Sequence, residues 1–225
     1  MNFRAAIFDL DGVIADTARL HLQAWRQLAE ELKLPWGDNM EESLKGLERM
    51  ASLETILGER SADFSDREKV ALASRKNDCY RELIRNLTAD DLLPGAGELL
   101  ACLRGRRIPI GLASASKNAP AVLQALGIAD CFTFIADPAK AAPKPAPDIF
   151  LAAAWGLAVD PARCLAFEDA AAGVTAIQAA GIKAVGVGDR NALREADYLL
   201  DSLVEFDADG FFAPITIPVN ADQSP

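Results

Sequence analysis

The chain has 225 residues, 51% of them apolar and 25% charged. That balance excludes disorder and allows one large domain or a core with a smaller companion. Against 33 acidic residues stand 23 basic ones, a net charge of −10, so neither nucleic acid nor an anionic membrane is an expected partner.

The N-terminal apolar run is short and is interrupted by Asp9 and Asp11, so it does not read as a signal peptide. The longest apolar run, residues 150–159 with Gly156 inside it, is too short to span a bilayer. Cys79, Cys102, Cys131 and Cys164 lie far apart with no C-x-x-C. That spacing fits reduced cytosolic thiols rather than a zinc site or a disulfide framework.

In chain order, a strand is predicted over residues 5–8, ending in acid. Residues 15–92 contain no clear strand. There a helix is predicted from Thr17, which can cap it, to about Leu34, where Pro35 stops it. Further helices are predicted over 40–57 and 66–87. Leu93, Pro94 and Gly95 mark a return to the core. Short apolar strands at 108–113, 132–135, 164–167 and 184–187 then alternate with helices at 97–103, 119–126, 148–157 and 171–180. Continuous apolar strands alternating with helices predict a parallel sheet covered on both faces. The fold class is therefore α/β: a doubly wound, Rossmann-like core over 1–14 and 93–206, with a helical cap (15–92) inserted after the first strand. Residues 207–225, rich in Asp and Pro, read as a loose tail.

Ligands of such sheets bind beyond the carboxyl ends of the strands. The residues following those ends form a consistent set. Asp9, Leu10, Asp11 and Gly12 follow the first strand and Ser114 the second. A loop with Lys144 follows the third, and Glu168 and Asp169 follow the fourth. Four carboxylates, one hydroxyl and one lysine would converge on one edge. Hard oxygens without a neighbouring His or Cys favour Mg²⁺, and a carboxylate can itself be a nucleophile that takes up a phosphoryl group. Gly12 lets the chain turn so that both aspartates can face the site.

These motifs resemble the four of the haloacid dehalogenase superfamily. Within it, residues 114–118, 144–150, Leu44, Lys45, Gly46 with Arg49, and Arg75, Lys76, Asn77 are similar to the β-phosphoglucomutase family. The resemblance covers roughly residues 3–190. It implies that Asp9 attacks the phosphoryl group, that Asp11 is the general acid/base, and that Ser114 and Lys144 hold the transferring oxygens. It also implies Mg²⁺ on Asp9, the Asp11 backbone carbonyl, Glu168 and Asp169. Substrate contacts would come from Thr17, His21, Trp25, Lys45, Gly46, Leu47, Arg49, Ser52 and Lys76 of the cap. Ala115, Ser116, Lys117 and Asn118 of the core would add to them. Arg49, Ser116, Lys117 and Asn118 would hold the second phosphate of a bisphosphate intermediate. The implied reaction interconverts β-glucose 1-phosphate and glucose 6-phosphate through β-glucose 1,6-bisphosphate, under a cap that excludes water; a cytosolic location follows from the cysteine pattern, and a monomer is the default expectation.

Plainer readings stand beside these. His21, Trp25, Leu28 and Leu32 share one helical stripe, and on that pattern alone His21 is a satisfied core histidine, its polar atoms partnered; the resemblance instead sets it close to the acid/base. Ser114 and Asn118 could be helix N-caps, Lys144 a solvated loop lysine, Arg49 and Lys76 exposed helix charges, and the arginines of 104–107 solvated surface. Glu48 departs from the family pattern beside Arg49, and the 137–144 loop is about one residue short by motif alignment. A sugar-phosphate phosphatase on the same scaffold and a non-catalytic phosphosugar-binding module are the competing functions. Arg49 with residues 116–118 speaks against the first, and the intact acidic set against the second.

Overall fold

A computed structural model describes residues 3–44, 47 and 49–212. The elements follow in chain order. Strand β1 (Ala5–Phe8) precedes helices α1 (Ala18–Glu31), α2 (Met40–Leu44), α3 (Arg49–Leu57) and α4 (Asp66–Ile84). Then come α5 (Ala96–Gly105), β2 (Ile110–Leu112), α6 (Ala119–Ala125), β3 (Phe134–Ile135), α7 (Asp148–Gly156) and β4 (Cys164–Glu168). The last elements are α8 (Ala171–Ala179), β5 (Lys183–Val187), β6 (Tyr198–Leu200) and α9 (Ala208–Phe211). The described residues divide into two compact units, one holding those up to Asp16 and from Thr88 onward, the other Thr17–Leu87.

The first unit is built on one parallel sheet of order β3-β2-β1-β4-β5-β6. Its central strands are buried on both faces, which is why they read as unbroken apolar runs. Ala5, Ile7, Ala166 and Ala184 present one face to Ile149, Phe150 and Ala153 of α7 and to Val174 and Ile177 of α8. On the alternate positions, Phe8 stacks on Phe167 with ring centroids 4.5 Å apart.

The second unit contains no strand among its described residues. Trp25, Leu28 and Ala29 of α1 pack with Leu53 and Ile56 of α3 and Leu72 and Ala73 of α4. No described helix in either unit is long and apolar enough to cross a membrane.

Several expectations need correction. The single helix expected over 40–57 is two, α2 and α3, with Leu47 outside either. Thr17 occupies the N-cap position of α1 but makes no side-chain cap bond, because its backbone is already helical at φ −90°, ψ −9°. Among the described residues of the helical unit, the helix start with a side-chain cap is that of α4, where Ser65 forms a capping box with Glu68. The strand β6 was not expected at all.

Nor is the stretch from residue 207 a loose tail as far as it is described. Asp207 caps α9, Phe3 donates its N–H to the Phe211 carbonyl at 3.1 Å, and Phe212 is fully buried. Phe206, Phe211, Phe212, Phe3 and Tyr198 form a ring cluster with centroid spacings from 4.9 to 6.4 Å. Arg106, expected to be solvated, pairs with Asp209 of α9. Phe212→Ala is therefore expected to cost about 3 kcal/mol and to lower Tm by roughly 10 °C in thermal unfolding. An unchanged Tm would mean that this segment does not cap the core.

Candidate active site

The strand order places the switch point of the doubly wound sheet between β1 and β4, where the chain leaves to opposite sides and opens a crevice at the carboxyl ends. Phe8 pairs with Phe167 in the ladder, and the Asp9 N–H donates to the Phe167 carbonyl at 3.0 Å. Asp9 and Glu168 are thereby delivered side by side, 6% and 1% exposed. Lys144 bridges them: its ammonium donates to Asp9 Oδ1 and to Glu168 Oε2, each at 2.7 Å. The lysine is thus a half-buried partner of two acids, not a solvated loop residue. The other Glu168 oxygen accepts the N–H groups of Asp169 and Ala170, at 3.2 and 3.1 Å, where α8 begins.

Carboxylate oxygens of Asp9, Glu168 and Asp169 lie within 4.8 Å of one another. Burial pushes Asp9 up to about 7; Lys144 opposes the shift and Glu168 adds to it. Asp169 stands at the solvent edge. The packing around its carboxyl, then the charges of Asp9 and Asp11, push it up to about 6. Burial also raises Glu168. For Lys144 burial works against the ammonium, but Asp9 and Glu168 outweigh it and hold its proton more firmly than usual. Three carboxylates and one ammonium leave excess negative charge in a poorly solvated place. The donor set, all hard oxygens with one side open, fits a divalent cation of the oxygen-seeking kind.

Asp11 is not one of the three clustered acids; its charge nonetheless acts on Asp169. The turn that follows it closes with Gly12 N–H on the Ala15 carbonyl at 3.1 Å. Gly12 has φ +74°, and a Cβ there would lie 1.9 Å from Asp169 Oδ2. Only glycine serves both needs.

The end of β2 is tied to β1 by the Ala113 N–H on the Phe8 carbonyl at 2.8 Å. Ser114 is buried, and its hydroxyl accepts the Ser116 N–H at 3.1 Å; the Ser116 hydroxyl accepts the Asn118 N–H at 3.3 Å. These two local turns replace the expected capping: Asn118 sits at the N-cap of α6 without a side-chain cap bond, and Ser114 lies four residues ahead of it. Ala115 and Lys117 are exposed, Ser116 and Asn118 half-buried.

In the helical unit, Thr17 is fully buried. His21 Nδ1 lies 2.6 Å from Lys76 Nζ, and its ring stacks on Tyr80 with centroids 3.8 Å apart. An ammonium only donates, so Nδ1 is the acceptor and the ring is neutral. Burial, then Lys76 and Arg49, push His21 down to about 3. His21 is therefore the acceptor for a buried cation, not a member of the apolar core. Lys76, 3% exposed, also lies over the rings of Trp25 at 4.7 Å and Tyr80 at 5.1 Å, against the reading of an exposed helix charge. Arg49 is exposed, and its guanidinium donates to Asn77 Oδ1 at 2.8 Å. Ser52 is buried and Leu47 exposed; Lys45, Gly46 and Glu48 lie outside the described residues. Asn77 and Tyr80 were missed as partners, although Tyr80 follows Lys76 at helical spacing.

Residues 3–181 match the haloacid dehalogenase-like hydrolases, and the chain belongs to that family. The β-phosphoglucomutase of Bacillus subtilis (strain 168) is 50% identical over 200 residues, a match spanning 88% of each chain. The crystal structure of the β-phosphoglucomutase of Clostridium difficile superposes with TM-score 0.84 at 46% identity, covering 92% of this chain and 95% of that one. CbbY of Rhodobacter sphaeroides, solved with xylulose-(1,5)bisphosphate, superposes with TM-score 0.81 at 26% identity, covering 94% and 100%.

Protons compete with a cation for Asp9 and Asp169. Titration calorimetry with MgCl₂ is expected to show affinity that rises with pH through the range 6 to 7 and levels off above it. Affinity independent of pH over that range would contradict the carboxylate environment described above.

Proposed function

We propose that the chain is a β-phosphoglucomutase, interconverting β-glucose 1-phosphate and glucose 6-phosphate through β-glucose 1,6-bisphosphate and a phosphorylated Asp9. The observation that carries this reading is the buried Asp9, bridged by Lys144 to Glu168 at the sheet's switch point. The likeness to β-phosphoglucomutases over most of the chain selects the mutase from the chemistries that such a carboxylate supports.

In this reading the Asp9 carboxylate attacks the phosphorus and the sugar oxygen leaves. Asp11 donates a proton to that oxygen, and on return removes one from the attacking hydroxyl. Lys144 and Ser114 hold the phosphoryl oxygens as their charge redistributes. Mg²⁺ on Asp9, Glu168, Asp169 and the Asp11 carbonyl would supply charge neutralisation at those oxygens. Arg49, Ser116, Lys117 and Asn118 are assigned to the far phosphate, and Asn77 orients the guanidinium for it. Thr17, His21, Trp25, Lys45, Gly46, Leu47, Ser52, Lys76 and Ala115 are assigned to the sugar and its approach. His21 Nδ1 accepts a hydrogen bond from the Lys76 ammonium and so orients it. The reading also assigns the enzyme to the cytosol as a monomer.

The test is a coupled assay with β-glucose 1-phosphate, Mg²⁺ and a trace of the 1,6-bisphosphate. Glucose 6-phosphate is expected without matching release of inorganic phosphate. Arg49→Ala is expected to lower mutase turnover roughly 10- to 100-fold, the worth of one charge-assisted phosphate contact, and to spare hydrolysis of p-nitrophenyl phosphate. Phosphate release without glucose 6-phosphate would make the protein a phosphatase and overturn the proposal.

A further inference from the structure

Gly173 sits in the first turn of α8, buried, in ordinary helical backbone that any residue could adopt. A glycine within a helix destabilises it relative to alanine, and nothing in the local turn calls for one. Its surroundings supply the reason. A Cβ at this position would lie 2.0 Å from Glu168 Cδ, 2.1 Å from Oε2 and 2.5 Å from Cγ, where real Cβ contacts essentially never fall below 3.0 Å.

Glu168 could not yield to such a methyl without loss. It is 1% exposed, one oxygen accepts the Asp169 and Ala170 N–H groups, and the other accepts the Lys144 ammonium at 2.7 Å. Any shift of the carboxylate breaks part of this set and changes its spacing from Asp9 and Asp169. We infer that Gly173 is a positioning residue for the acidic site: the missing side chain is the recess that holds the Glu168 carboxylate beside Asp9. The inference rests on the reading of Asp9, Glu168 and Asp169 as a divalent-cation site.

The test compares full-length variants by titration calorimetry with MgCl₂ and by thermal unfolding. Gly173→Ala is expected to weaken Mg²⁺ binding by roughly 10- to 100-fold, the usual effect of disturbing a ligand's support. Gly156→Ala is the control. That glycine is also helical, and the nearest atoms a Cβ there would meet belong to the Phe134 ring, at 2.4 Å, and to none of the acids. It is expected to lower Tm and leave Mg²⁺ affinity unchanged. A second variant reports on the contact itself. Glu168→Asp in the Gly173→Ala background shortens the carboxylate, so the double variant should lose less affinity than the product of the two single losses. Should Gly173→Ala fail to fold, a double variant that folds supports the recess, and one that also fails overturns it. Unchanged affinity in Gly173→Ala, beside a wild type that binds Mg²⁺, overturns the role of Gly173 alone. A wild type that binds no Mg²⁺ overturns the cation site beneath it.

Discussion

The bridge from Lys144 to Asp9 and Glu168 is the interaction on which the site depends. Two carboxylates delivered by neighbouring strands, buried and side by side, would repel each other in a medium too poor in water to screen them. One ammonium between them, 2.7 Å from each, makes the arrangement tolerable. Removing one member of such a set leaves an uncompensated buried charge, which is far more costly than the set itself. The chain therefore has to bring a lysine from beyond β3 to acids at the ends of β1 and β4. The doubly wound sheet does this because all three strands run the same way and end on the same edge.

Around that bridge the backbone supplies the rest. The start of α8 turns two N–H groups onto one Glu168 oxygen. Gly12 reverses the chain after Asp11 and clears the Asp169 carboxylate, and Gly173 clears Glu168. Burial first, and then the neighbouring acids, raise Asp9 and Asp169; three acids against one lysine still leave negative charge in excess, which suits the cluster to a divalent cation. The helical unit solves a similar problem with opposite sign. Its buried Lys76 is accommodated by a neutral His21 and by the faces of Trp25 and Tyr80 rather than by an acid.

How much of this was legible in the sequence depended on burial and on distance along the chain. The central strands β1, β4 and β5 read clearly because both their faces are buried, and the acids that end them gave the site its outline. Of the edge strands, the two-residue β3 falls inside the run read at 132–135, but β6, half-buried and three residues long, was missed. The Asp-rich composition after residue 206 hid the packing of Phe211 and Phe212, because composition says nothing about which side chains face inward. The convergence of Asp9, Lys144 and Glu168 followed from strand ends alone. The partners of Arg49 and His21 did not, since Asn77 and Lys76 lie 28 and 55 residues further on and meet them only through helix packing. Residue type alone could not separate a buried Lys76 from a solvated one.

The central claim is that Asp9 carries the phosphoryl group. The most direct measurement is peptide mass mapping of protein quenched in acid during turnover with β-glucose 1,6-bisphosphate. The account predicts one phosphoryl group on the peptide containing Asp9, localised to that residue and absent in Asp9→Asn, whose turnover is also lost. A phosphoryl group on any other residue, or undiminished turnover by Asp9→Asn, would contradict it.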